Sequence, residues 1–158
     1  MWLSFPRPPS NMAAKVTVDA EIAPDGGYYR RNSDVITIEG TNSPWLYASG
    51  CRGLRRASIQ LVPDKPDAEP QPYTVRLHFA ELDDVKPGER VFDVRIQGEN
   101  ALNGLDVVKE AGGRNKALVK EFKGVSAGDT LTVELVPRGE PAGSTREPII
   151  SAIEVSEE

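Results

Sequence analysis

Apolar and polar residues alternate along Tyr73-Thr74-Val75-Arg76-Leu77-His78-Phe79. Successive side chains of a strand point to opposite faces, so this stretch predicts a strand that buries Tyr73, Val75, Leu77 and Phe79 together. The same period recurs from Phe92 to Gln97, from Leu131 to Leu135, and at Ile149, Ser151, Ile153 and Val155. Weaker versions run from Val16 to Ile22, Val35 to Ile38, Ala57 to Val62 and Leu118 to Phe122.

Turn chemistry separates these runs. Lys86-Pro87-Gly88-Glu89 fits a proline-led turn with glycine at the left-handed position. Asp25-Gly26-Gly27 and Ala127-Gly128-Asp129 are further turn signals, and Gly112-Gly113 breaks the chain between two apolar runs. Pro63 to Pro72 and Arg138 to Pro148, rich in breakers, read as loops. No long helical period is present; Ala111 to Phe122 offers one helical turn, against its glycines. About eight to ten short strands between such turns predict an all-β fold, a two-sheet antiparallel β-sandwich. At 158 residues the chain suits one domain. Residues 1–14, with Trp2, Leu3 and Phe5 before Pro6, Pro8 and Pro9, read as an N-terminal arm or linker cut from something longer, and residues 15–158 as the sandwich. The opening MWLSFPRPPS has neither the basic nor the apolar segment of a signal peptide.

The net charge of −5 argues against nucleic acid as a partner, because phosphate affinity needs a basic face. The local pairs Arg30-Arg31 and Arg55-Arg56, with Arg52 nearby, are either solvated surface or a contact for an anion or sugar acid. One cysteine (Cys51) and one histidine (His78) leave no internal disulfide and no structural zinc site. No apolar run approaches the ~20 residues that span a bilayer, so no membrane insertion is expected. Phosphate-binding glycine loops are absent from the sequence, and no cofactor or metal is expected.

An enzyme would need a base beside its nucleophile. His78 lies mid-strand, on the face opposite Leu77 and Phe79, and reads as a structural or surface residue. Cys51 stands among arginines that would lower its pKa, yet a lone thiol in such a segment is usually inert. No pair of carboxylates stands out for glycoside cleavage. The expectation is a domain without catalytic residues.

Sugar recognition needs flat aromatic faces for the C–H side of a pyranose and planar polar groups for its hydroxyls. The aromatics outside the alternating strands are Tyr28, Tyr29, Trp45 and Tyr47. Both pairs lie in turn-rich surroundings, where binding residues gather. Arg30 and Arg52 stand beside them as polar partners.

Tyr73-Thr-Val-Arg-Leu-His-Phe-Ala-Glu81 followed by Arg90-Val-Phe-Asp-Val-Arg-Ile-Gln-Gly98 resembles the malectin family and its relatives among carbohydrate modules. Leu105 to Gly113 is similar to the family's next strand and loop, and Pro148 to Val155 to its closing strand. The resemblance implies a jelly-roll or galactose-binding-like sandwich that binds glucose-containing oligosaccharides through loops at one end. It also implies an exported, extracytoplasmic context, often as a module of a larger bacterial protein with neighbouring domains. Where the family carries an aromatic pair, this chain has Asp83 and Asp84, which are either plain turn residues or candidates for sugar hydroxyls or a structural calcium, though no spaced Asp/Asn calcium motif is present. The family's late carboxylate points to Glu140 or Glu147, of which Glu147 joins the candidate site. The competing expectation is a structural or protein-interaction sandwich that binds no sugar.

Overall fold

The computed structural model describes residues 2–4, 17–62, 65, 67–139 and 146–158. Much of the expected arm (residues 5–14), Val16, and parts of the two expected loops (residues 63, 64, 66 and 140–145) lie outside the described residues. The strands are β1 (Trp2–Ser4), β2 (Val18–Arg30), β3 (Ser49–Gln60), β4 (Gln71–Phe79), β5 (Phe92–Ile96), β6 (Glu99–Leu105), β7 (Leu118–Ala127), β8 (Thr130–Pro137), β9 (Ile149–Ile150) and β10 (Ala152–Glu157). Two short helices, α1 (Pro44–Tyr47) and α2 (Val107–Ala111), complete them. One sheet runs β1-β10-β4-β7 and the other β2-β3-β8-β5-β6, with β9 added beside β3. All paired strands are antiparallel.

Alternation builds the core. Tyr73, Val75, Leu77 and Phe79 of β4 face Leu131, Val133 and Leu135 of β8 and Phe92, Val94 and Ile96 of β5 in one cluster. Two-sided sandwiches close in this way because each sheet has one apolar face to hide. The closing strand joins both sheets: Ile150 pairs with Cys51 of β3, and Ile153 with Leu77 of β4.

Several local expectations are corrected. Val35 to Ile38 forms no strand; Val35 and Ile36 bond back to the Asn32 carbonyl in a turn, and Val35 is exposed. Asp25-Gly26-Gly27 does not end a strand. It lies in a bulge inside β2, where pairing jumps from Ile22–Leu54 to Gly27–Arg52. The helical turn forms at Val107–Ala111, not within Ala111 to Phe122: Asp106 caps it by accepting from the Lys109 N–H, and Gly112 ends it at φ +77°. Leu118 to Ala127 is then free to pair as a strand.

β3 is irregular near its centre. Gly53 has φ +78°, and Arg55 is skipped in the pairing with β2. These two steps reset the parity, so Cys51 and Leu54 both enter the core although they are three apart. Arg52 is left on the other face, beside the second cluster of the molecule. That cluster gathers Ile38, Leu46, Tyr47, Ala80, Leu82 and Ala152 beneath the segment joining β2 to β3, with Tyr29 packed against it.

His78 lies beside this cluster and is buried, although it points away from the face that carries Leu77 and Phe79. Its Nδ1 is 2.8 Å from the Tyr47 hydroxyl and its Nε2 is 3.3 Å from Glu154 Oε2. A neutral imidazole satisfies both by accepting from Tyr47 and donating to Glu154. Burial lowers the His78 pKa below its ordinary value; Arg76 adds to this and Glu154 opposes it. The unfolded chain therefore takes up this proton first as pH falls. The stability held by neutral His78 is complete above about pH 6.5 and is lost as pH drops through the lower folded-state pKa. We expect the urea midpoint to fall between pH 7.5 and pH 5, by less in His78→Gln than in the natural chain. Equal falls in both proteins would contradict this account of His78.

Candidate functional site

Tyr28 and Tyr29 are neighbours on a strand, so they face opposite ways. Tyr28 pairs with Cys51 and is about half exposed; Arg30, two residues on, shares its side and is exposed. Tyr29 and Arg31 share the other side. Tyr29 pairs with Gly50, where a side chain would meet the phenol oxygen at 2.6 Å and the Ile150 carbonyl at 2.5 Å. The bare glycine lets the ring lie against β3. Across the ring stands Arg52, its guanidinium carbon 5.6 Å from the centroid.

The loop after β4 brings carboxylates to this group. Asp83 accepts from Arg52 at 2.5 Å, from Arg90 at 3.3 Å and from Arg31 at 3.5 Å. Behind it, Arg90 and Glu81 form a buried pair at 2.5 Å, with side chains 2% and 1% exposed. Burial pulls the Asp83 carboxyl upward, but Arg52 and Arg90 outweigh it and hold its pKa below the usual value. Burial has the upper hand at Glu81, whose pKa is raised although Arg90 and the Asp83 N–H pull it down. The Tyr29 phenol is also pushed up, by burial first and by the charge of Glu81 next. Its hydroxyl and the Nε of Arg52 are buried without a hydrogen-bond partner among the described residues. Buried polar atoms rarely stay unpaired, so a ligand hydroxyl or a water is the natural complement.

The expected residues thus divide. Tyr29, Arg52 and Asp83 converge. Trp45 stands 61% exposed on α1, just before Ala48, whose carbonyl receives the Arg31 N–H at 2.6 Å. Tyr28 and Arg30 occupy the far side of β2, and Asp84 is exposed beside the cluster-forming Asp83. Tyr47 is corrected to an interior residue, 3% exposed and bonded to His78. Glu147 is likewise corrected: it is buried and pairs with Arg55 at 2.7 Å, tying the loop before β9 to β3. Cys51 is inside the core, and burial pushes its thiol up to about 12, the reverse of the lowering its arginine neighbours suggest. Glu81 and Arg90 were not among the expected residues; Arg31 was, as one of the arginine pairs open to an anion or sugar acid. The available signal was Glu81 closing an apolar strand, with a basic residue nine positions on and no other use for a buried carboxylate.

Among the described residues, no group of three or more His, Cys, Asp or Glu is placed to hold a metal ion. No helix among them is long and apolar enough to cross a membrane.

A two-sheet sandwich whose polar cluster joins the ends of β2 and β3 to the loop after β4 has the build of a recognition module. The malectin domain family matches residues 15–153, and the chain belongs to that family. It is 38% identical over 136 residues to Receptor-like protein 4 of Arabidopsis thaliana, covering 80% of this chain and 20% of that protein. In structure it is similar to the ANXUR2 extracellular domain of Arabidopsis thaliana, with a TM-score of 0.67 and 15% identity over 86% of this chain and 40% of that one. It is also similar to a Bacteroides uniformis β-glucuronidase, with a TM-score of 0.66 and 16% identity over 87% of this chain and 14% of the enzyme. At these identities the structural likeness is one of fold. The chain spans only a fifth of the receptor-like protein it matches.

Proposed function

We propose that this domain is a carbohydrate-binding module without chemistry of its own, working outside the cytoplasm as part of a larger protein. Its ligand lies across the C-terminal half of β2, α1 and the loop after β4. The observation that carries this reading is the convergence of Tyr29, Arg52 and Asp83, with unpaired polar atoms on two of them. Trp45 supplies the exposed ring on the adjoining helix. Membership of the malectin family supports sugar as the ligand, and a glucose-containing oligosaccharide is the first to test. The plant relatives fit a receptor ectodomain as the parent.

Calorimetry with glucose oligosaccharides tests the reading. Trp45→Ala should weaken binding by roughly tenfold or more, since interface tryptophans commonly carry over 1 kcal/mol. The unfolding midpoint should stay where it is, because the ring is largely in solvent. Unchanged affinity would remove Trp45 from the site. The second reading, a protein-interaction domain, is favoured by Val35 and Trp45, large apolar residues exposed on one segment. Silence across neutral and acidic glycans would favour it.

A further inference from the structure

Charge in the cluster narrows the ligand class, provided that the domain binds carbohydrate. We propose that the preferred ligand is an acidic glycan, whose carboxylate is taken by Arg31 and Arg52 in place of Asp83. Arg90 is committed to Glu81 at the base of the site, both side chains almost wholly buried. That leaves two guanidiniums, Arg31 and Arg52, on the carboxylate of Asp83, which the second arm of Arg90 also reaches at 3.3 Å. The groups in direct contact, Arg31, Arg52 and Arg90 against Glu81 and Asp83, carry one positive charge more than negative, with Asp84 exposed alongside, on a chain whose net charge is −5.

Geometry agrees with the excess. Arg31 is 49% exposed and reaches Asp83 only at 3.5 Å, so its fork is largely open to solvent. Arg52 is held over the Tyr29 ring with its Nε unpaired among the described residues. Guanidinium forks favour planar oxyanions because two parallel N–H bonds can form at once. A neutral sugar would need no surplus cation here; hydroxyls are served by the Tyr29 phenol and by Asp83. At Arg52, 22% exposed, a ligand carboxylate exchanges one guanidinium–carboxylate bond for another, so this arginine loses little hydration that it has not already lost. Asp83, which holds the arginines in the free protein, becomes the group that limits affinity.

Matched sugars test this: glucose tetramers, α-linked and β-linked, against the same tetramers carrying a carboxylate at C6. Titration calorimetry should show the acidic form of one linkage binding roughly tenfold or more tightly than its neutral counterpart. Arg31→Ala should erase most of that preference, lowering acidic-sugar affinity far more than neutral-sugar affinity, and should leave the unfolding midpoint in place, since an exposed ion pair contributes little to the fold. Asp83→Asn should raise acidic affinity, and added salt should lower it. Neutral tetramers binding as tightly as acidic ones, with Arg31→Ala silent, would overturn the acidic assignment and leave the carbohydrate reading standing. Binding of neither form would overturn both. If Asp83→Asn proves unstable, the Arg31→Ala comparison decides alone.

Discussion

Replacing Arg90 with alanine is expected to cost about 3–5 kcal/mol of stability, the usual penalty for stranding one partner of a buried ion pair. The residue lies 2% exposed against a carboxylate that is 1% exposed. Without it, the Glu81 carboxylate keeps the Asp83 N–H, at 3.0 Å, as its donor among the described residues. Such a loss is a large share of the ~5–15 kcal/mol that holds a domain together. It also has a signature in pH. Burial already raises the Glu81 pKa in the natural chain, and removing the cation raises it further. The folded variant then binds a proton that the unfolded chain releases near pH ~4.3. A group raised in the fold contributes stability below its unfolded pKa and loses it as pH climbs through the folded one. The deficit of Arg90→Ala should therefore be smaller at pH 5 than at pH 8 in urea unfolding. The double replacement Glu81→Leu with Arg90→Met should recover most of it, as apolar substitutes for buried pairs often do. A loss under about 1 kcal/mol at both pH values would mean the pair is wetter than its burial indicates.

Phe79→Ala should cost a similar amount, about 3–5 kcal/mol, by a different route. Its ring is fully buried and lies 6.1 Å from that of Phe92, so it bridges the two sheets. It sits opposite Leu118 in the pairing of β4 with β7, and the sheets cannot collapse into the space without breaking that register. The urea midpoint should drop with an unchanged slope. Val119→Thr, one residue beyond that partner and 43% exposed, should change stability by under about 0.5 kcal/mol. Equal effects at Phe79 and Val119 would contradict the placement of the core.

The sandwich was legible because period-2 patterning is set by burial alone. β5 and β8 follow it residue by residue; β4 and β10 bury the predicted residues but also Thr74, His78 and Ala152 on the opposite face. β3 was only half legible. Its parity is reset by a left-handed glycine and a skipped residue, and neither leaves an apolar repeat to read. Residues such as Val35 and Ile36 alternate with polar neighbours but find no partner strand, since the Asn32 carbonyl takes their N–H groups.

The site was harder, for a related reason. Trp45 and Tyr47 would share a face on a strand. On the single helical turn that Pro44 begins, residues two apart diverge, so Trp45 goes out and Tyr47 goes in. Adjacent residues on an extended chain diverge as well, which separates Tyr28 from Tyr29. In the sequence Arg90 follows the Lys86-Pro87-Gly88-Glu89 turn, with no apolar repeat to mark it as buried. Only the fold reveals that β4 ends by delivering Glu81 to it.

The most direct test is a nuclear magnetic resonance titration of the isotope-labelled domain with the neutral and C6-carboxylate glucose tetramers. The backbone signals of Tyr29, Arg31, Arg52 and Asp83 and the indole signal of Trp45 should move together and saturate. A different place is available to contradict this: a cleft of about 380 Å³ between the β5–β6 turn and β7, lined by Gln97, Asn100, Phe122 and Lys123 among others. Shifts confined to that cleft, or no shifts with either sugar, would show that the arginine end of the sandwich does not read glycans.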